Sequence, residues 1–241
     1  MKKKIFLPLI LLFCVTVSGC ASRPAEIPTA TDPPPTATIA LDADTLSTLL
    51  FEAIKAPDAA EVARLLAAGA PVDQPIDMGI TPLMVASVRD DADMIRLLLD
   101  AGADPEIRSA GGLTALIIAA QQDKAGSIRA LVEGGAQIDA VDGVPNHNNT
   151  AFCWAVYLGN LKAVKELIAL GADINFIPGG AGDTPVITAV RANRVEALKL
   201  LLEAKADVNI PNKSGKTAMY YAKLSGNGEI IALLEAAGAR E

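Results

Sequence analysis

Gly79-Ile80-Thr81-Pro82-Leu83-Met84-Val85-Ala86 reads as the start of a helix. Thr81 can cap it with its hydroxyl, and proline at the first helical position costs nothing because that N–H has no partner there. Threonine recurs outward from this stretch at 48, 81, 114, 150, 184 and 217, in steps of 33, 33, 36, 34 and 33 residues. An alanine stands five residues after each: Ala53, Ala86, Ala119, Ala155, Ala189 and Ala222. A Gly-Ala pair begins 21 residues after each threonine, at Gly69-Ala70, Gly102-Ala103, Gly135-Ala136, Gly171-Ala172 and Gly238-Ala239, with Lys205-Ala206 as the single variant. Length therefore varies only between that pair and the next threonine.

Nine residues past the later threonines stand Asp90, Asp123, Gly159, Asn193 and Gly226. These types tolerate the left-handed conformation that ends a helix. Pro57 breaks the pattern in the first unit, as an atypical end cap would. A second helix follows, as in Met94-Ile95-Arg96-Leu97-Leu98-Leu99, and ends at Gly102.

The residues resemble the ankyrin repeat, whose units carry G-x-T-P-L-H-x-A and then L-L-x-x-G-A-D-V-N. Gly79-Ile80-Thr81-Pro82-Leu83 matches the first part; Leu201-Leu202 with Ala206-Asp207-Val208-Asn209 matches the second. The resemblance covers about residues 45–241. It implies an all-α solenoid of about six helix-turn-helix units joined by hairpin-like loops, at about 45–77, 78–110, 111–146, 147–180, 181–213 and 214–241. One unit buries too little apolar surface to fold alone, and stacking makes the core continuous. The family's histidine after T-P-L is missing. Phe51, Met84, Ile117, Cys153, Ile187 and Tyr220 stand there, so apolar contact has to replace its hydrogen bonds and a softer register between units is expected.

Upstream, Met1-Lys2-Lys3-Lys4 precedes an apolar run from Ile5 to about Val17. That run is shorter than the roughly 20 residues a membrane span needs, and suits an export signal. Its end, Val17-Ser18-Gly19-Cys20, resembles the lipobox of bacterial lipoproteins. The resemblance implies a signal peptide over 1–19, diacylglycerol on the Cys20 thiol and often an acylated amine. Two or three chains hold a protein stably where one does not. Ala21 rather than Asp follows, which by that family's sorting habit implies the outer membrane, facing the periplasm. Residues 20–41, with Pro24, Pro28 and Pro33-Pro34-Pro35 among Thr and Ala, read as a linker. Extended at ~3.1 Å per residue, it would reach on the order of 60 Å.

Of three cysteines, Cys14 leaves with the signal and Cys20 carries lipid, so Cys153 has no intrachain partner. The net charge of −7 becomes about −10 once Lys2, Lys3 and Lys4 are removed. Such a chain repels phosphate backbones, and no nucleic-acid partner is expected.

Signs of chemistry are weak. His147, the one histidine, shares a long loop with Asp139 and Asp142, too few ligands for a metal site. Lys213-Ser214-Gly215-Lys216-Thr217 looks like the end of a phosphate loop, but Ile210 stands where its first glycine belongs. Gly179-Gly180-Ala181-Gly182 reads as the flexible tip of a finger between units. Asp90, Asp91 and Asp93 suit a turn and helix start, and Cys153 a small core position. No enzyme, cofactor or metal is expected.

The resemblance places partner binding on the turn tips and on the exposed side of each first helix. Those positions hold Arg89, Gln121, Gln122, His147, Asn149, Trp154, Tyr157, Leu158, Arg191 and Tyr221. Trp154, the only tryptophan, is read there as exposed, one helical turn from Tyr157. Trp154, Tyr157 and Tyr221 are expected to dominate binding, because Trp, Tyr and Arg dominate interface energetics. The chain is expected to work as a monomer. Acidic ankyrin lipoproteins of bacterial envelopes include immunity proteins, so one reading is an inhibitor covering a basic cleft of a secreted toxin, such as a lipase or wall hydrolase. The other is a housekeeping envelope scaffold that positions or regulates periplasmic enzymes. The sequence leaves both open.

Overall fold

The computed structural model describes residues 41–240. The expected signal peptide, the expected lipid-bearing Cys20 and nearly all of the expected linker lie outside them. Six helix pairs follow in order: α1 (Ala43–Lys55) and α2 (Ala59–Ala67), α3 (Pro82–Arg89) and α4 (Ala92–Asp100), α5 (Ala115–Gln121) and α6 (Ala125–Glu133). Then come α7 (Ala151–Leu158) and α8 (Leu161–Ala169), α9 (Pro185–Arg191) and α10 (Val195–Glu203), α11 (Ala218–Ser225) and α12 (Gly228–Ala236). The odd helices pack side by side in one row and the even helices in a second. One continuous core runs between the rows from Leu46 to Leu234, which meets the expectation of an all-helical solenoid.

The threonines act as read from the second unit onward. Thr81, Thr114, Thr150, Thr184 and Thr217 each accept a hydrogen bond from the amide three residues on, at 3.2–3.4 Å. Such a cap is worth about 1 kcal/mol. The first unit departs: α1 starts five residues before Thr48, capped by Asp42, and Thr48 lies inside the helix donating to the Asp44 carbonyl. Asp90, Asp123, Gly159, Asn193 and Gly226 all adopt positive φ, between 54° and 78°.

Register between units is held by polar contacts, against the expectation that apolar packing alone would set it. The left-handed turn residue of one unit caps the second helix of the next. Asp90 Oδ1 accepts from the Ser127 amide and Asp123 Oδ1 from the Ala163 amide, both at 2.8 Å. Helices α6 and α8 have no side-chain cap of their own. Asn160 Nδ2 reaches back to the carbonyls of Ala120 and Gln121, and Arg194 Nε to that of Tyr157. A second ladder joins the loops beyond the even helices. The amides of Asp104, Gln137, Asp173, Asp207 and Arg240 donate to Asp73, Glu106, Asp139, Asn175 and Asn209 of the preceding unit.

The fingers that lead into the odd helices from α3 onward are hairpin turns. Antiparallel bridges pair Ile76 with Ile80 and Val141 with Thr150. Their tips bond to one another, as in the Gly143 amide to the Gly112 carbonyl at 2.7 Å and the Lys213 amide to the Ala181 carbonyl at 3.0 Å. The glycine-rich stretch at 179–182 serves this close approach rather than flexibility. A Cβ on Gly179 would stand 2.8 Å from the carbonyl oxygens of both Asn146 and His147. Gly112 is still more constrained: φ is +75° and a Cβ would meet the Gly143 Cα and C at 2.8 Å. Gly112→Ala is expected to cost about 3 kcal/mol, adding backbone clash to left-handed strain of about 1–2 kcal/mol. Gly135→Ala has positive φ but open space around it, and should cost only the strain. Urea midpoints of the two variants check the difference.

Candidate functional site

Each odd helix from α3 onward turns one residue, four positions past its capping threonine, toward the fingers. The row runs Val85, Ile118, Trp154, Thr188, Tyr221. Val85, Ile118, Trp154 and Tyr221 all rest partly buried on the core. Trp154 is thus half-buried rather than freely exposed. Its indole Nε1 donates to Asp142 Oδ2 at 3.0 Å. Asp142, only 2 % exposed, also accepts from the Asn149 amide and donates its own amide to the Asn149 carbonyl. Asn149 and Asp142 therefore hold the ring upright from below.

A hollow of about 310 Å³ opens above it. Asn146, His147 and Asn149 of the fourth finger form one wall; residues 178–183 of the fifth form the other. Trp154, Tyr157 and Thr188 make its floor, with Cys153 beneath. The Trp154 and Tyr157 rings meet edge to face, centroids 6.2 Å apart, and Tyr157 is 53 % exposed. His147 is exposed on the rim and Leu158 is exposed at the end of α7. Cys153 is buried, and burial pushes its thiol above the usual range. The native thiol should resist a small alkylating reagent and react only on unfolding, as mass spectrometry would read.

A second hollow of about 470 Å³ shares Tyr157, Asp183 and Thr188 with the first and adds Arg191, Ala192 and Arg194. Asp183 pairs with the Arg191 guanidinium and accepts from Asn212 Nδ2 at 2.7 Å. The buried Asn212 amide also donates to the Tyr221 hydroxyl at 3.0 Å, and the Arg191 guanidinium lies 5.1 Å from the Tyr221 ring centre. Tyr221 is half-buried; Tyr220 beside it, edge to face at 5.3 Å, is 43 % exposed with Lys216 Nζ 4.0 Å above its ring. Tyr220 thus departs from the inward position assigned to it by spacing, because among the described residues no further unit packs on α11.

Of the residues expected at the interface, the structure gathers His147, Asn149, Trp154 and Tyr157 around one hollow, and brings Arg191 and Tyr221 beside its neighbour. Arg89 lies elsewhere, against a shallow apolar hollow of about 350 Å³ made by Ile80, Met84, Val85, Val88 and Ile118. Gln121, half-buried, and Gln122, exposed at the end of α5, line neither aromatic hollow. Sequence reasoning missed Asp142 as an orienting group and Asn212 altogether. Both stand where the finger pairs back with the residue before the capping threonine, and each reaches the residue four past it. A carboxylate or amide at that finger position was the available signal.

A family model described as ankyrin repeats (3 copies) matches residues 103–178 and 176–240, and one described as ankyrin repeats (many copies) matches 65–119. The chain belongs to the ankyrin-repeat family. Ankyrin stacks are protein-interaction scaffolds, and this one presents its hollows on the side its fingers share with the odd helices. Among curated relatives, the human ARF GTPase-activating protein GIT2 is 36 % identical over 76 residues, 32 % of this chain and 10 % of that one. The Arabidopsis thaliana potassium channel AKT1 is 38 % identical over 81 residues, 34 % of this chain and 9 % of that one. This ankyrin chain therefore spans only about a tenth of those relatives. Solved ankyrin structures match far more of it. The ankyrin repeat domain of Bcl-3 is 29 % identical with a TM-score of 0.73, covering 80 % of this chain and 86 % of that one. An ankyrin repeat domain from Acinetobacter baumannii is 27 % identical, TM-score 0.69, covering 79 % and 98 %. A chain from the complex of the Bd0816 predatory endopeptidase of Bdellovibrio bacteriovorus with immunity protein Bd3460 is 26 % identical, TM-score 0.65, covering 79 % and 98 %.

Proposed function

We propose that this ankyrin protein is a lipid-anchored envelope protein of the periplasmic face of the outer membrane. It acts as a monomeric immunity protein that grips a secreted hydrolase with the finger side of its fourth to sixth repeats. The observation that carries the reading is the paired hollow lined by Trp154, Tyr157, Asp183 and Arg191, with the Tyr221 ring against Arg191. Aromatic and arginine side chains lie there on a preorganised frame of hydrogen bonds, the composition and rigidity that concentrate binding energy. The likeness to a chain from an endopeptidase–immunity complex supports this choice of partner. Val17-Ser18-Gly19-Cys20 supports the anchor, which would concentrate an inhibitor where an envelope-directed toxin acts.

The test is affinity capture from envelope extract with full-length protein in mild detergent, against a Trp154→Ala, Tyr157→Ala bait. A secreted hydrolase held by the wild type, lost with the variant and inhibited by added wild type supports immunity. Capture of resident envelope enzymes in the same Trp154-dependent way supports the scaffold instead. An identical catch for both baits removes this face from the account. Labelled palmitate incorporated by the wild type and not by Cys20→Ser tests the anchor.

A further inference from the structure

The charge of the molecule is not evenly spread. On the even helices Arg64, Arg96, Arg129 and Lys199 are matched by carboxylates, while among the described residues Lys162 and Lys165 of α8 have none within 4.0 Å. Lys199 Nζ lies 2.8 Å from Glu196 and 3.0 Å from Glu229, Arg129 lies 2.7 Å from Glu166 and Arg96 lies 2.9 Å from Asp93. On the fingertips and odd helices of the last two repeats the ionisable side chains are Asp183, Arg191, Lys213, Lys216 and Lys223. The single carboxylate among them, Asp183, is already engaged by Arg191 and Asn212. Among the described residues neither Lys213 nor Lys216 has a carboxylate within 4.0 Å. Lys213 is exposed, and Lys216 stands over the Tyr220 ring beside exposed Leu224. Among the described residues every carboxylate other than Asp183 lies off these fingertips and odd helices, so this half of the face is not shaped for a basic surface.

We propose that the strip formed by Arg191, Lys213, Lys216, Tyr220 and Tyr221 receives an acidic segment of the partner protein, one that sets a carboxylate over the lysines and an aromatic or aliphatic side chain on the tyrosines. This rests on the finger side being the binding face, and adds the chemistry of what it binds. A short acidic segment feels the local cations, because screening limits the reach of exposed charges to about 8–10 Å. A nucleic acid is the poorer occupant. Its charge extends over many such lengths and meets the acidic remainder of the molecule. Complementary charge of this kind raises association rate and fixes register more than it adds affinity.

The experiment pans a phage-displayed library of random dodecapeptides on the full-length protein in detergent. Selected peptides are then measured on Lys213→Glu/Lys216→Glu, on Trp154→Ala/Tyr157→Ala and on a Lys162→Glu/Lys165→Glu control in α8. The expected result is enrichment of acidic peptides that also carry aromatic or aliphatic residues. They should bind about tenfold or more weakly to the Lys213/Lys216 variant and unchanged to the control, with circular dichroism intact. Should charge reversal disturb the fifth finger, where the Lys213 chain lies along Gly182, Lys216→Gln alone reads the same loss at smaller size. Neutral or basic peptides that still need Trp154 and Tyr157 would overturn the acidic assignment while leaving the binding face in place. Peptides indifferent to both clusters, or no enrichment, would remove both. Tighter binding of a single-stranded DNA oligonucleotide than of any selected acidic peptide would also overturn it.

Discussion

Phe152→Ala is expected to lower stability by about 3–5 kcal/mol, the range for deleting a fully buried phenylalanine. Phe152 has no exposed surface and lies on α7, which packs between α5 and α9. The loss should take an unusual form. Stability in a stacked array is close to a sum of unit and nearest-neighbour terms. A cavity in the fourth unit weakens both of its interfaces and leaves the outer pairs intact. Urea unfolding followed by circular dichroism should therefore show a lower midpoint and a broader or split transition. A single sharp transition displaced by less than about 1 kcal/mol would contradict the packing described for α7.

Trp154→Ala is expected to cost 2 kcal/mol or more in binding, roughly a thirtyfold rise in Kd. It should also cost stability, because Asp142 Oδ2 loses its indole donor in a position shut from water. Trp154→Phe separates the two effects. The ring area over the hollow is largely kept and the donor is lost, so affinity should fall by less than tenfold while stability falls by about 1–3 kcal/mol. Calorimetric titration with the captured partner and urea midpoints read the two quantities. An affinity for the alanine variant unchanged within a few tenths of a kcal/mol, with the fold intact, would end the role given to Trp154.

The helices were legible because their punctuation is local. A threonine hydroxyl, a proline at the first position and a residue tolerant of positive φ act within one turn, so their spacing projects directly onto the sequence. Thr48 misled because α1 continues upstream of it, and Asp42 was the better cap. What joins the units was not legible, because each contact spans about thirty to forty residues. Nothing in the neighbourhood of Asp123 reveals that its carboxylate caps α8. For the candidate site, family spacing placed Trp154, Tyr157 and Tyr221 on the right helices. It could not show that Trp154 is pinned by Asp142, nor that Tyr221 shares Asn212 with Asp183. Those depend on how far each finger reaches, and finger length is the variable part of the repeat.

The ladder beyond the even helices repeats its own chemistry. In the four consecutive units from Asp104 to Asn209 the donating amide and the accepting side chain stand two residues apart: Asp104 with Glu106, Gln137 with Asp139, Asp173 with Asn175, Asp207 with Asn209. A cut between equivalent points of two units, followed by splicing, would set an acceptor of the same kind against a donor of the same kind. The molecule can thus be shortened or lengthened by whole units without inventing a new joint. Gene duplication or loss could then tune the length of the grip without first having to solve a folding problem.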